Sequence, residues 1–81
     1  MDHDYQLIMS PLSQAITDKG HTIRLDIYRE PGTDWTLEAV DTTNHSVVWD
    51  DLFPTDLAAL EEALKTIREE GIESLVDPRN L

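Results

Sequence analysis

The apolar period of this chain changes once, near Pro54, and that switch limits the fold classes open to it. Before it, Thr22-Ile23-Arg24-Leu25-Asp26-Ile27-Tyr28-Arg29 alternates apolar and polar residues, with the β-branched and aromatic content of a half-buried strand. Trp35 to Val40 alternates again, and Ser46 to Trp49 makes a third run. After the switch, Leu57, Leu60, Leu64 and Ile67 recur at spacings of three, four and three, one stripe of a helix flanked by Ala63. Thr55 is suited to cap that helix, Asp56 complements its dipole in the first turn, and Gly71 suits its end.

The links between the β-runs are too short for crossover helices, so the strands are antiparallel neighbours. Pro31-Gly32 carries the residue preferences of a type II turn, and Asn44 tolerates left-handed φ in the Asp41 to His45 link. Upstream, Leu12 to Thr17 reads as a further strand entering a hairpin at Asp18-Lys19-Gly20. The same stretch also fits a short helical turn begun by Ser10-Pro11, and both readings stay open. Ile72, Leu75 and Val76 are expected to pack back on the core, with Asp77 to Leu81 a frayed tail. The expected fold is α+β: a four-stranded antiparallel β-meander followed by one C-terminal α-helix packed on one face (ββββα). It forms one small domain over 1–81, with an ordered core at about 12–76 and flexible ends.

On that fold the core comprises Ile23, Leu25 and Ile27, then Trp35, Leu37 and Ala39, then Val47 and Trp49, with Leu12 and Ile16, against the Leu57, Leu60, Leu64 and Ile67 stripe. One helix covers only one face of a four-stranded sheet. The other face carries Arg24, Asp26, Tyr28, Thr36, Glu38, Val40 and Val48. Antiparallel sheets tolerate one wet face, so this set reads either as ordinary solvated surface or as a contact face centred on Tyr28, Val40 and Val48. A third possibility is that Tyr5, Leu7, Ile8 and Met9 fold over it.

Seventeen acidic residues against six Lys and Arg give a net charge of −11, a field that repels nucleic acid and anionic lipid. The absence of cysteine removes disulfides, thiolate metal sites and cysteine nucleophiles. The acidic start, with only Leu7-Ile8-Met9 as an apolar run, suits neither a signal peptide nor a membrane anchor, and a cytoplasmic protein is expected.

Catalytic and ligand motifs are missing: there is no nucleophile elbow, phosphate loop, dinucleotide fingerprint or zinc-protease pattern, so no catalytic residue, cofactor or metal is expected. His3, His21 and His45 are scattered, the latter two at turns. Asp50, Asp51 and Asp56 are dense enough to attract a hard cation but lack the glycine-bearing calcium loop. Trp35 and Trp49 are better placed as core than as stacking platforms.

Between Ile23 and Gly71, strands followed by a helix begun by Thr55-Asp56 are similar, in element order alone, to HicB-type antitoxin domains. Val47 to Phe53 departs from the Pro- and Gly-containing segment of that family, and no DNA-binding extension follows Gly71. The resemblance implies an accessory protein acting on a partner. The function expected is that of a small acidic, non-enzymatic protein-interaction or regulatory module, binding a protein or a second copy through Arg24, Asp26, Tyr28, Glu38, Val40 and Val48. One alternative is an acidic nucleic-acid mimic presenting Glu61, Glu62, Glu69 and Glu70 with Asp50 and Asp51. A second is a small enzyme completed by oligomerisation.

Overall fold

A computed structural model describes residues 6–81. Five strands and one helix follow in order: β1 (Ile8–Met9), β2 (Gln14–Asp18), β3 (His21–Arg29), β4 (Thr36–Asp41), β5 (Ser46–Val48) and α1 (Asp56–Glu70). Short 3₁₀ turns occupy Ile72–Leu75 and Pro78–Asn80. The α+β class and the antiparallel sheet with a C-terminal helix are as the period switch dictates.

The turns behave as their residues require. Lys19 and Gly20 both take positive φ between β2 and β3, the two-residue link whose twist matches a hairpin. Thr33 N–H donates to Glu30 O at 3.1 Å across Pro31-Gly32, with Gly32 at φ +87 where the type II turn needs it. Asn44, at φ +67, closes the β4–β5 link.

The strand expected at Leu12–Thr17 is present as β2, begun two residues later. β1 is an addition the sequence reading did not contain: it joins the sheet edge instead of covering the open face. Both β1 and β2 pair with the same side of β3, Ile8 opposite Arg29 and Gln14 opposite Leu25. Between them residues 10–13 fit opposite only Asp26 and Ile27, so the edge strand is broken by a bulge. The ladder survives there because one hydroxyl, that of Ser13, enters it. Ser13 Oγ accepts from Ile27 N–H at 3.0 Å and donates to Ile27 O at 3.2 Å, and Ser10 N–H donates to Ile27 O at 2.8 Å. Ser10 Oγ also donates to Asp56 Oδ2 at 2.7 Å, tying this break to the helix start. The opposite edge has the same device: past β5, residues 49–52 fit opposite Thr36 and Leu37 before Phe53 pairs with Trp35.

The core lies on one side of the sheet. Ile23, Leu25, Ile27, Leu37 and Ala39 are fully buried, with Leu12, Ile16, Trp35, Val47, Trp49 and Phe53 packed around them. Helix α1 is capped by Thr55, whose Oγ1 accepts from Ala58 N–H at 3.0 Å, and it closes at Gly71, whose N–H donates to Ile67 O. Its rotation corrects the expected stripe. Ala59 and Ala63 face the sheet fully buried, Leu60 and Ile67 flank them, and Leu57 and Leu64 are turned to solvent. The alanine methyl is too small to hold the helix off, so the backbone approaches the sheet and bulk is supplied by Ile72, Leu75 and Val76 of the returning chain.

The chain end is also corrected. Asp77 is buried, and its N–H donates to Asp41 Oδ2 at 2.8 Å across 36 residues. Asp41 Oδ1 accepts from Thr43 N–H, Thr43 Oγ1 and His45 N–H, so one carboxylate organises the β4–β5 link and anchors the end of the chain. Asp77 in turn is bracketed by the Arg79 guanidinium at 2.6–3.1 Å, and Asn80 donates to Thr43 Oγ1. The Asp77 N–H, reinforced by Thr43 and His45, holds the Asp41 carboxyl far below the usual range, against the opposing effect of burial. The Arg79 side chain holds Asp77 down at about 2.

Two outcomes are expected. Ala63→Leu should cost about 1–3 kcal/mol by overpacking, whereas Leu57→Gln should stay within about 0.5 kcal/mol, read by urea denaturation; the expected leucine stripe would reverse that ranking. A carboxyl with a lower pKa folded than unfolded stabilises once ionised, so the Asp41 and Asp77 contribution is complete near neutral pH and fades between about pH 5 and pH 2. Asp41→Asn should lower Tm at pH 7 by roughly 5 °C or more and flatten the dependence of Tm on acid, measured by circular dichroism.

Candidate functional site

Alternation along each strand sends every second side chain to the face away from the helix. The pairs Arg24 with Val40, Asp26 with Glu38, Tyr28 with Thr36, and Glu38 with Val48 therefore share that face. All seven residues expected on that face are brought together. Asp26 and Glu38 lie directly opposite, a like-charge pair that destabilises a sheet when left alone. Each is satisfied from a different side. Arg24 Nε lies 3.0 Å from Asp26 Oδ1 and its Nη2 lies 3.1 Å from Oδ2, a two-pronged pair along β3. Tyr28 donates its hydroxyl to Glu38 Oε1 at 3.0 Å. Burial raises the Tyr28 pKa above its ordinary value, and the Glu38 carboxylate adds to it; the Asp26 contact raises that of Arg24.

Val40 is on this face but only 8% exposed, so it contributes floor and little contact area, whereas Val48 is 49% exposed. Of the most accessible apolar groups of this side, the sequence placed Leu7 and Met9 only as part of a segment folding over the face and did not place Leu52 there at all. Met9, opposite Tyr28, is 50% exposed. Leu7 and Leu52 are 55% and 54% exposed and form the two walls of an open groove of about 270 Å³, floored by Tyr28 and Thr36 and reaching Glu30 and Asp34. Alternation of Leu7 and Met9 was a legible signal; Leu52 was not, because its place depends on the break after β5.

A hollow of about 340 Å³ at the other end of the sheet is bounded by Gly20, His21, Thr43 and Asn80, around the Asp41 anchor. The chain matches no family model, no curated protein and no solved structure. The remaining candidates are not drawn together. His21 and His45 are half-buried, and His3 and Tyr5 lie outside the described residues. Asp56 is engaged by Ser10 while Asp50 and Asp51 are exposed, and among the described residues no group of three His, Asp or Glu side chains is placed to hold a metal ion. Trp35 and Trp49 pack against the core, and the Arg29 guanidinium sits 5.0 Å from the Trp35 ring centre. Among the described residues no helix is long and apolar enough to cross a membrane.

The Tyr28–Glu38 contact is directly measurable. In a pH titration followed by NMR, Tyr28 should ionise above an ordinary tyrosine. Glu38→Gln should bring its pKa down part of the way, with the burial contribution remaining.

Proposed function

We propose that this chain is a non-enzymatic protein-interaction module that binds a partner protein on the open face of its sheet. The observation that carries the reading is where the apolar surface lies. Of the seven large apolar side chains exposed among the described residues, four line this face or its rim: Leu7, Met9, Val48 and Leu52. These four lie along the two edges of the face, around the polar Arg24, Asp26 and Glu38 at its centre, and apolar side chains concentrated on one face mark a contact surface better than scattered single ones. The groove falls below the ~300–1,000 Å³ usual for small-molecule sites and is open, which suits a side chain of a larger partner better than an enclosed substrate. The acidic-mimic alternative gains less support: of its four helical acids only Glu62 and Glu69, seven residues apart, fall on one line, while Glu61 and Glu70 lie about half a turn apart around the axis.

The test is capture by the tagged full chain at low and high salt, comparing the natural sequence with Met9→Asp/Val48→Asp and with Leu64→Asp on the helix. A stoichiometric protein that survives high salt, is lost from the sheet-face variant and is kept by Leu64→Asp is the expected result. A partner that both variants retain, or that salt releases entirely, would overturn the sheet-face reading, the latter in favour of electrostatic mimicry.

A further inference from the structure

The open face is not electrically uniform, and its groove end says more about the partner. Leu7 and Leu52 wall the groove, two carboxylate residues, Glu30 and Asp34, share its lining, and the exposed Asp50 and Asp51 precede Leu52 in the chain. The cation of the lining, Arg29, is directed to the Trp35 ring. We infer that the groove between Leu7 and Leu52 receives an apolar side chain from a cationic segment of a partner protein, whose flanking Lys or Arg residues meet the Glu30, Asp34 and Asp50–Asp51 carboxylates. The inference rests on the open face being the docking surface and names the chemistry of what docks there.

Three physical points select that occupant. A groove of about 270 Å³ with apolar walls fits an anchoring side chain, the element that dominates protein contacts. Carboxylates at the groove gain most from cations, which satisfy and neutralise them together, and a net charge of −11 makes the long-range field attract cations. A second copy of the chain would bring the same rim and the same net charge, and anionic lipid or nucleic acid would be repelled, so a basic protein segment remains.

A random-peptide display library selected on the immobilised full chain tests this. Enriched peptides should carry an apolar residue flanked by Lys or Arg. Titrated into ¹⁵N-labelled protein, they should move the amides of Leu7, Tyr28, Thr36 and Leu52. Leu52→Asp should weaken the selected peptide about tenfold or more even though it adds a carboxylate, which separates an apolar anchor from simple charge attraction. Glu30→Gln/Asp34→Asn should weaken it about threefold or more and leave its Lys→Gln analogue unaffected, while Leu64→Asp should change neither. Enriched peptides without Lys or Arg that move the same amides would overturn the cationic inference and leave the docking face standing. Basic peptides that move only the helical glutamates, or a library with no enrichment, would overturn the groove.

Discussion

A single covered face governs this structure. The β3–β4 ladder buries Ile23, Leu25, Ile27, Leu37 and Ala39 completely, and one helix with one returning turn must do all the covering. That is possible because the helix meets the sheet through Ala59 and Ala63. The close approach brings Ile72, Leu75 and Val76 alongside, and the helix and the returning segment together act as a second layer. Nothing comparable covers the other side among the described residues, so its composition has to be soluble and ordered at once. The Arg24–Asp26 and Tyr28–Glu38 contacts achieve this by giving each member of an opposed carboxylate pair its own donor.

The two breaks in the edge strands link fold to site. On each edge four residues stand opposite two, at the level of the Ile27–Leu37 pair. Such interruptions bend an edge and shorten its free ladder, which discourages pairing with another sheet. Here they also carry Leu7 and Met9 on one side, and Leu52 on the other, to the same end of the open face. The groove walls are thus a product of strand irregularity, held on one side by the Ser13 hydroxyl in place of a backbone partner.

What the sequence made legible was local. The alternation of β3 and β4, the Pro31-Gly32 and Lys19-Gly20 turns, and the Thr55 and Gly71 helix limits each depend on residues within a few positions, and the structure has them. The open-face set Arg24, Asp26, Tyr28, Glu38 and Val48 was legible for the same reason. Helix rotation was not, because periodicity ranks leucine above alanine while packing selected the alanines for closeness. β1 is two residues long and exists only through its pairing with Tyr28 and Arg29. The docking of Asp77 depends on Asp41, 36 residues earlier, and no local pattern announces it.

The way the fold satisfies its carboxylates bears on the surface it presents. Asp41 is held by backbone N–H groups and a threonine hydroxyl, Asp56 by the Ser10 hydroxyl, and Glu38 by the Tyr28 hydroxyl. Neutral donors stabilise these anions without cancelling their charge. Among the described residues the guanidinium groups that pair with carboxylates, Arg24 and Arg79, sit on single neighbours two residues away and neutralise those. The net field of an 81-residue chain carrying −11 therefore reaches solvent largely uncancelled by its own interior. At the groove end it meets apolar walls, and there an approaching cation gains attraction while an adjoining apolar side chain gains burial. Each contribution weakens under a different perturbation, salt for the first and loss of Leu52 for the second, because the field belongs to the whole chain and the walls to two residues.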